Sequence, residues 1–249
     1  MPSGGFRTRQ KPSGVVGSYP TGLLVLQGKL GPKTLDWNWI SNNLSDEIIP
    51  AVVGHIYLSF VSVAIALAIS LPTGVLVSRY RKAYPPVTFV TGLLFSIPSL
   101  AAFALLVSVP GIGLGPQAVI IALVAYSLLV LIRNVVAGMD SVPEETKDAA
   151  RGMGLTSRQI LFRVELPLAL PVIIAGVRIA TVTVIGIATI GAYVSGGGLG
   201  ELIFTGISRN FPTRVIVGAV LATLMAISAD LALLWLERLL RPWARARKA

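Results

Sequence analysis

Few side chains in this sequence are of the kinds that carry chemistry, and their placement excludes most of what they could do. Cysteine is absent, so no disulfide, thiolate metal site or cysteine nucleophile is available. The single histidine, His55, stands at the edge of an apolar run without the companions that a metal site or a catalytic base needs. It is expected to be a polar anchor. Gly196, Gly197, Gly198 and Gly200, followed by Glu201, resemble a phosphate cradle only superficially, because they follow an apolar run and no lysine is in place. Close helix packing and a tight exit turn account for them. No G-x-x-x-x-G-K-[ST] run occurs, so the chain lacks a P-loop for ATP. No convergent set of His, Ser and carboxylates marks an enzyme, and neither a metal nor a cofactor is expected. Arg178 and Asp230 are the ionisable residues inside otherwise apolar runs. Charges in lipid normally pair, and at about 1.5 Å per residue both lie roughly 12 to 17 Å from the same membrane face. They are expected to be neighbours, within one subunit or across the bundle, in a structural pair and not a proton relay.

The elements that position these residues follow from composition. Of 249 residues 54% are hydrophobic and 13% charged, with mean hydropathy +0.77, against about a quarter charged in a soluble domain. This is the signature of an all-α polytopic membrane protein. The net charge of +10 does not point to nucleic acid, because the basic residues lie between apolar runs and at the chain ends. Apolar periodicity and helix breakers predict about five transmembrane helices, near 51–78, 88–108, 116–135, 168–194 and 214–236, within a permease domain over 41–241. The turn between the second and third is Val109 to Pro116. Residues 1–40 read as a poorly ordered or interfacial tail, whose apolar patch Leu23 to Leu26 is too short to span and is not followed by a cleavage site. Trp37 and Trp39 suit lipid headgroups, and 242–249 form a basic tail.

Lysine and arginine set orientation. Arg79, Arg81 and Lys82 follow the first span, and Arg133, Lys147, Arg151, Arg158 and Arg163 surround the long polar stretch after the third. Arg238, Arg241, Arg245, Arg247 and Lys248 follow the fifth, while only Arg209 and Arg214 lie between the fourth and fifth. The polar stretch and the C-terminus are therefore expected in the cytoplasm and the N-terminus outside, although Arg7, Arg9, Lys11, Lys29 and Lys33 run against that count.

The polar stretch, 140–167, carries two capping signals. Ser141 precedes Glu144 by three residues and Thr156 precedes Gln159 by three, each able to close the start of a short helix. Gly152 and Gly154 end the first helix, and the second is expected to end near Glu165, before Pro167 and Pro171. By themselves these residues fit a helix-turn-helix docking surface and a soluble connector equally.

Their spacing goes further. Asp148-Ala149-Ala150, then three residues, Gly154, nine residues and Val164-Glu165-Leu166-Pro167 resemble the motif that permeases of ABC importers carry in the loop touching the ATPase, with Asp for Glu and Val for Ile. Ser96 to Leu100, Gly152 to Leu155, Ile160 to Pro171 and Gly196 to Ser208 are similar to the osmoprotectant branch, which imports glycine betaine, carnitine and choline. The resemblance covers roughly 52–241. It implies a type I ABC importer permease fold in the cytoplasmic membrane, partnered by two ATPase subunits, a second permease subunit in a homo- or heterodimer, and an extracytoplasmic substrate-binding protein. It assigns Glu145, Asp148, Ala149, Ala150, Arg151, Gly152, Gly154, Leu155, Val164, Leu166 and Pro167 to the coupling loop, with the alanines in a groove, Gly154 at the turn and Pro167 restarting the chain. It assigns Gly196, Gly197, Gly198, Gly200 and Glu201 to the external mouth near a gate. Aromatic cages usually hold quaternary ammonium groups, and 7% aromatic content leaves tight selection to the binding protein, with Tyr57, Phe60, Phe103, Tyr126 and Tyr193 able to line a weak path. Permeases for amino acids share the coupling motif. A self-sufficient secondary transporter needs an ion site and often an inverted repeat, and no repeat is evident.

Overall fold

The computed structural model describes residues 35–240. The expectations for most of the N-terminal tail and for the basic tail lie outside these residues. After a short helix α1 (Trp37–Asn42), the first long helix is α2 (Ile49–Arg79), which starts with Pro50 in its first turn and ends at Tyr80. Proline suits that position because its missing N–H is one the helix start leaves unpaired anyway. The buried face of α2 includes Leu58, Ser59, Ser62, Ala66, Ser70 and Gly74. Small residues at this spacing let neighbouring helices approach closely.

The expected second span is not one rod. It consists of α3 (Tyr84–Ser96) and α4 (Ser99–Val107), bent by 91° where Ile97 and Pro98 adopt extended ψ angles of 127° and 134°. Proline disfavours helical geometry in the residue before it, so Ile97 leaves the helix and frees its carbonyl. The Tyr126 hydroxyl donates to that carbonyl at 2.5 Å, and Phe95 stacks edge-on to the Tyr126 ring. An unwound turn at membrane depth is stable where protein satisfies its backbone. Tyr126 is only 5% exposed, so Tyr126→Phe is expected to cost about 1–3 kcal/mol for the orphaned carbonyl. Thermal unfolding in detergent measures this, and an unchanged midpoint would rule the hydrogen bond out as the support of the bend.

The third span is α5 (Pro116–Asp140), the most enclosed of the long helices. Leu123, Tyr126, Val184, Ala188, Leu58 and Phe103 form one buried cluster linking it to α2, α4 and α8 (Leu166–Gly191). The last span is α10 (Pro212–Leu239), whose exposed Leu224, Ile227, Leu231 and Trp235 make an apolar outer face. An apolar face of this extent on a spanning helix suits lipid.

Two expectations about the polar stretch are corrected. Ser141 does not cap the first helix of the polar stretch; its hydroxyl donates backwards to the Gly138 carbonyl, and α6 (Glu144–Gly152) starts after Pro143 without a side-chain cap. The second helix does not stop before Pro167. From α7 (Ser157–Ile160) the chain passes through a wide π-turn, Leu161–Glu165, directly into α8, one helical run from Ser157 to Val194. The π-turn re-registers the hydrogen bonds so that Pro167 falls in a first turn, where no N–H is required. The segment between the fourth and fifth spans holds a further helix, α9 (Leu199–Ser208), too short to cross a bilayer.

Contacts between helix ends order the crossings. Asp140 and Glu165, at the two limits of the polar segment, pair with Arg81 and Arg79; this is the proximal end. At the distal end His55 bonds to Leu199, the Gly115 amide donates to the Val194 carbonyl, and Arg214 pairs with Glu47. The bent pair begins beside Arg81 and leads to the turn at Gly115, so it too carries the chain from the proximal to the distal end. The fold is all-α among the described residues, with four helices long and apolar enough to cross a membrane and a fifth passage when the bent pair is taken as one span.

Candidate functional site

The polar segment is built for rigidity at the proximal end. Along α6, Glu144 accepts from Lys147 at 3.0 Å and from Arg151 at 3.1 Å, and Arg151 also reaches Asp148 at 2.5 Å. The Lys147 hydrogen bond, then that from Arg151, holds the Glu144 carboxyl below its ordinary value. The stabilisation is therefore present at neutral pH and lost as pH falls through that lowered value. The helix ends in a Schellman motif: the Leu155 amide donates to the Ala150 carbonyl at 3.2 Å and the Gly154 amide to Arg151 at 2.9 Å. That motif needs a left-handed residue, and Gly154 has φ of 79°. Thr156 and Gln159 then form the reciprocal capping box that starts α7.

The structure divides the residues assigned to coupling. Glu145, Asp148, Ala149, Arg151, Gly152 and Gly154 are exposed, whereas Leu155, Val164, Leu166 and Pro167 are half-buried. The two alanines part company: Ala149 is exposed, but Ala150 is buried against the protein's own fold. Met153, one turn beyond Ala149, and Phe162, in the π-turn after α7, are 73% and 57% exposed, and sequence reasoning passed over both. Large apolar side chains at the polar end of a membrane protein were the available signal. Also missed were the ion pairs that bound the segment, Arg79 with Glu165 at 2.6 Å and Arg81 with Asp140. Glu165 is 2% exposed.

At the distal end Gly196, Gly198 and Gly200 are buried, Gly197 is half-buried and Glu201 is exposed. With Tyr57, Asp46, Glu47, Arg209 and Arg214, several of them border a cavity of about 550 Å³. Gly198 has φ of 78°, and a Cβ there would stand 2.9 Å from His55 Nδ1. His55 is no interfacial anchor. Fully buried, it lies 3.0 Å by Nε2 from the Ile185 carbonyl and accepts the Leu199 amide on Nδ1 at 3.3 Å. Those two partners require the tautomer with hydrogen on Nε2. Arg214, read from sequence as a loop charge, is 8% exposed, pairs with Glu47 and lies 5.1 Å from the Trp39 ring centroid.

Arg178 on α8 and Asp230 on α10 are brought together in a two-pronged pair, Nε and Nη2 each 2.8 Å from a carboxylate oxygen. Glu237 lies one face-repeat further along α10, 3.9 Å from Nη1. The pair sits in an open groove of about 770 Å³ whose other walls include Ile179, Val182, Ile227 and Leu231.

A helix-turn-helix between two spans, with the motif spacing that ends at Leu166 and Pro167, is matched at the level of family. Residues 61–245 match the family of binding-protein-dependent transport system inner membrane components. This chain belongs to that family. The permease is 43% identical over 189 residues to the glycine betaine/carnitine/choline transport system permease protein OpuCD of Bacillus subtilis, covering 76% of this chain and 82% of the relative. It is 41% identical over 194 residues to the choline transport system permease protein OpuBD of the same organism, covering 78% and 85%. Its fold is similar to that of the MetNI methionine ABC transporter in an inward-facing conformation, with TM-score 0.70 and 26% identity over 77% of this chain and 95% of the other. The permease is thus an inner-membrane component of an ABC importer, with several membrane-spanning helices.

Proposed function

We propose that this permease forms the translocation pathway for osmoprotectants of the quaternary-amine class, glycine betaine, choline and carnitine, delivered by an extracytoplasmic binding protein. The 43% identity to a permease named for that cargo carries the substrate class. Because the sequence has no P-loop, ATP hydrolysis belongs to a separate ATPase, two copies of which dock on segments 140–167 of two permease subunits. The docking face comprises Ala149, Gly152, Met153, Gly154 and Phe162, exposed small and apolar residues on a short helical hairpin. The lysine and arginine distribution puts this face and the C-terminus in the cytoplasm and the N-terminus outside. Gly196 to Glu201 then border the external mouth, and closure of the ATPase dimer drives alternating access.

Uptake of labelled glycine betaine, choline and carnitine into vesicles holding the whole complex is expected to require both ATP and the binding protein. Uptake by this chain alone without ATP would overturn the importer reading. Import of methionine with none of the three amines would overturn the cargo in favour of an amino-acid permease, the reading to which the fold similarity to the methionine transporter lends support.

A further inference from the structure

The polar segment is joined covalently to α5 and α8, so any displacement of it moves those two spans directly. The first span has no such connection. Leu71 and Val75 of α2 pack laterally against Met139, Val142 and Ala169, and ionic ties lie at both limits of the segment: Arg81, two residues past the end of α2, pairs with Asp140, the last residue of α5, and Arg79, the last residue of α2, pairs with Glu165, the last residue of the π-turn. The two pairs differ in weight. Arg81 and Asp140 have side chains 59% and 38% exposed, whereas Arg79 is 41% exposed and Glu165 beneath it only 2%. Water screens the first pair, and such surface pairs contribute little. A carboxylate as enclosed as Glu165 depends on its cation.

The other end of α2 is tied as well. His55 holds the Ile185 carbonyl of α8 and the Leu199 amide that opens α9, directly after Gly196 to Gly198. From His55 to Arg79 the helix continues through an interior proline, Pro72, without leaving helical geometry, roughly 36 Å at about 1.5 Å per residue. α2 is therefore a rod fastened to the polar segment at one end and to the glycine-rich mouth at the other.

We infer that Arg79, through its pair with buried Glu165, is a positioning residue that passes movement of the polar segment into α2 and so to the distal mouth, with Arg81–Asp140 as an auxiliary tie. The inference rests on the reading of 140–167 as the coupling segment. It assigns transmission to a residue outside that segment and outside its motif. Coupling between distant sites can be carried by a packed secondary element that both ends bias, and α2 with its two end ties is such an element.

The test is the number of solute molecules imported per ATP hydrolysed by the whole complex, permease, ATPase and binding protein, in vesicles. A residue that merely holds the fold together lowers the amount of assembled complex and leaves that ratio alone. Arg79→Ala is expected to lower it about tenfold, within the usual range of coupling energies, Arg81→Ala by no more than about twofold, as befits an exposed pair. Arg79→Lys, which keeps the cation, is expected to stay within about threefold of the parent, because a lysine retains the charge but not the fork. A parental ratio in Arg79→Ala, or an equal loss in Arg79→Lys, overturns the inference. Should the alanine variant not assemble, Arg79→Gln takes its place with the same two outcomes. Gly154→Val serves as reference: if it uncouples and Arg79→Ala does not, the tie alone fails, and if neither changes the ratio, the coupling reading fails with it.

Discussion

Gly154→Val is expected to yield a complex that still hydrolyses ATP but imports at least about tenfold less solute for each ATP, a loss of coupling on the order of 1–3 kcal/mol. The cause lies in one torsion angle. Gly154 has φ of 79°, a region that costs ordinary L-residues about 1–2 kcal/mol and that β-branched residues avoid almost entirely. Valine would push the turn back to negative φ and break the two hydrogen bonds of the Schellman motif, Leu155 to Ala150 and Gly154 to Arg151. α6 would then leave at a different angle from α7, and the exposed residues on either side of the turn, Ala149 and Met153 before it and Phe162 after it, would shift relative to one another. Steric conflict inside the permease is not the reason, since an added Cβ meets no atom within 4 Å. Gly154→Asn, a residue that visits the left-handed region at low cost, is expected to retain more coupling than valine does. Import per ATP measured in vesicles decides the matter, and a parental ratio in Gly154→Val would remove the turn from the mechanism.

The second large effect concerns the membrane interior. Asp230→Ala leaves Arg178 facing an apolar groove with the Glu237 carboxylate 3.9 Å away. An uncompensated arginine in the middle of a spanning helix costs about 2.5–3.5 kcal/mol on insertion scales, and the nearby Glu237 favours the lower part of that range. Replacing Arg178 and Asp230 together by leucine is expected to recover most of the loss, because apolar residues of similar volume often substitute for a buried ion pair without penalty. A double-mutant cycle on thermal unfolding in detergent isolates the coupling. Independent, additive losses would show that the pair contributes nothing as a pair. Transport retained in the double leucine variant separates a structural pair from a proton relay, which would lose activity with either charge.

Much of this was legible in the sequence for a simple reason. Spans declare themselves by length and hydropathy, and lipid admits few other solutions for a backbone that must satisfy its own hydrogen bonds. The family's loop motif was legible because it is local: Asp148, Ala149, Gly154 and Pro167 lie within twenty residues, and capping and turn chemistry act over three or four positions. Arg178 and Asp230 could be paired across fifty residues because depth in a membrane is a one-dimensional coordinate that residue counting supplies.

What counting cannot supply is the direction of a side chain or the choice among possible partners. Ala149 and Ala150 are identical in sequence terms, yet only their angle around α6 exposes one and buries the other. Ser141 and Thr156 begin equivalent capping patterns, but Pro143 intervenes in the first and the serine turns back to Gly138, so only the threonine caps. Pro167 looked like a break until a π-turn placed it where a proline costs nothing. His55 looked solitary because its partners are backbone atoms of Ile185 and Leu199, which carry no side-chain signature in a sequence. The sequence by itself determined the membrane class, the family and the place of the helix-turn-helix between two spans, since each depends on composition or on short-range spacing. Only the tertiary structure decided that Arg79 meets Glu165 and that the first span is tied at both ends, because those contacts depend on how helices far apart in the chain are packed.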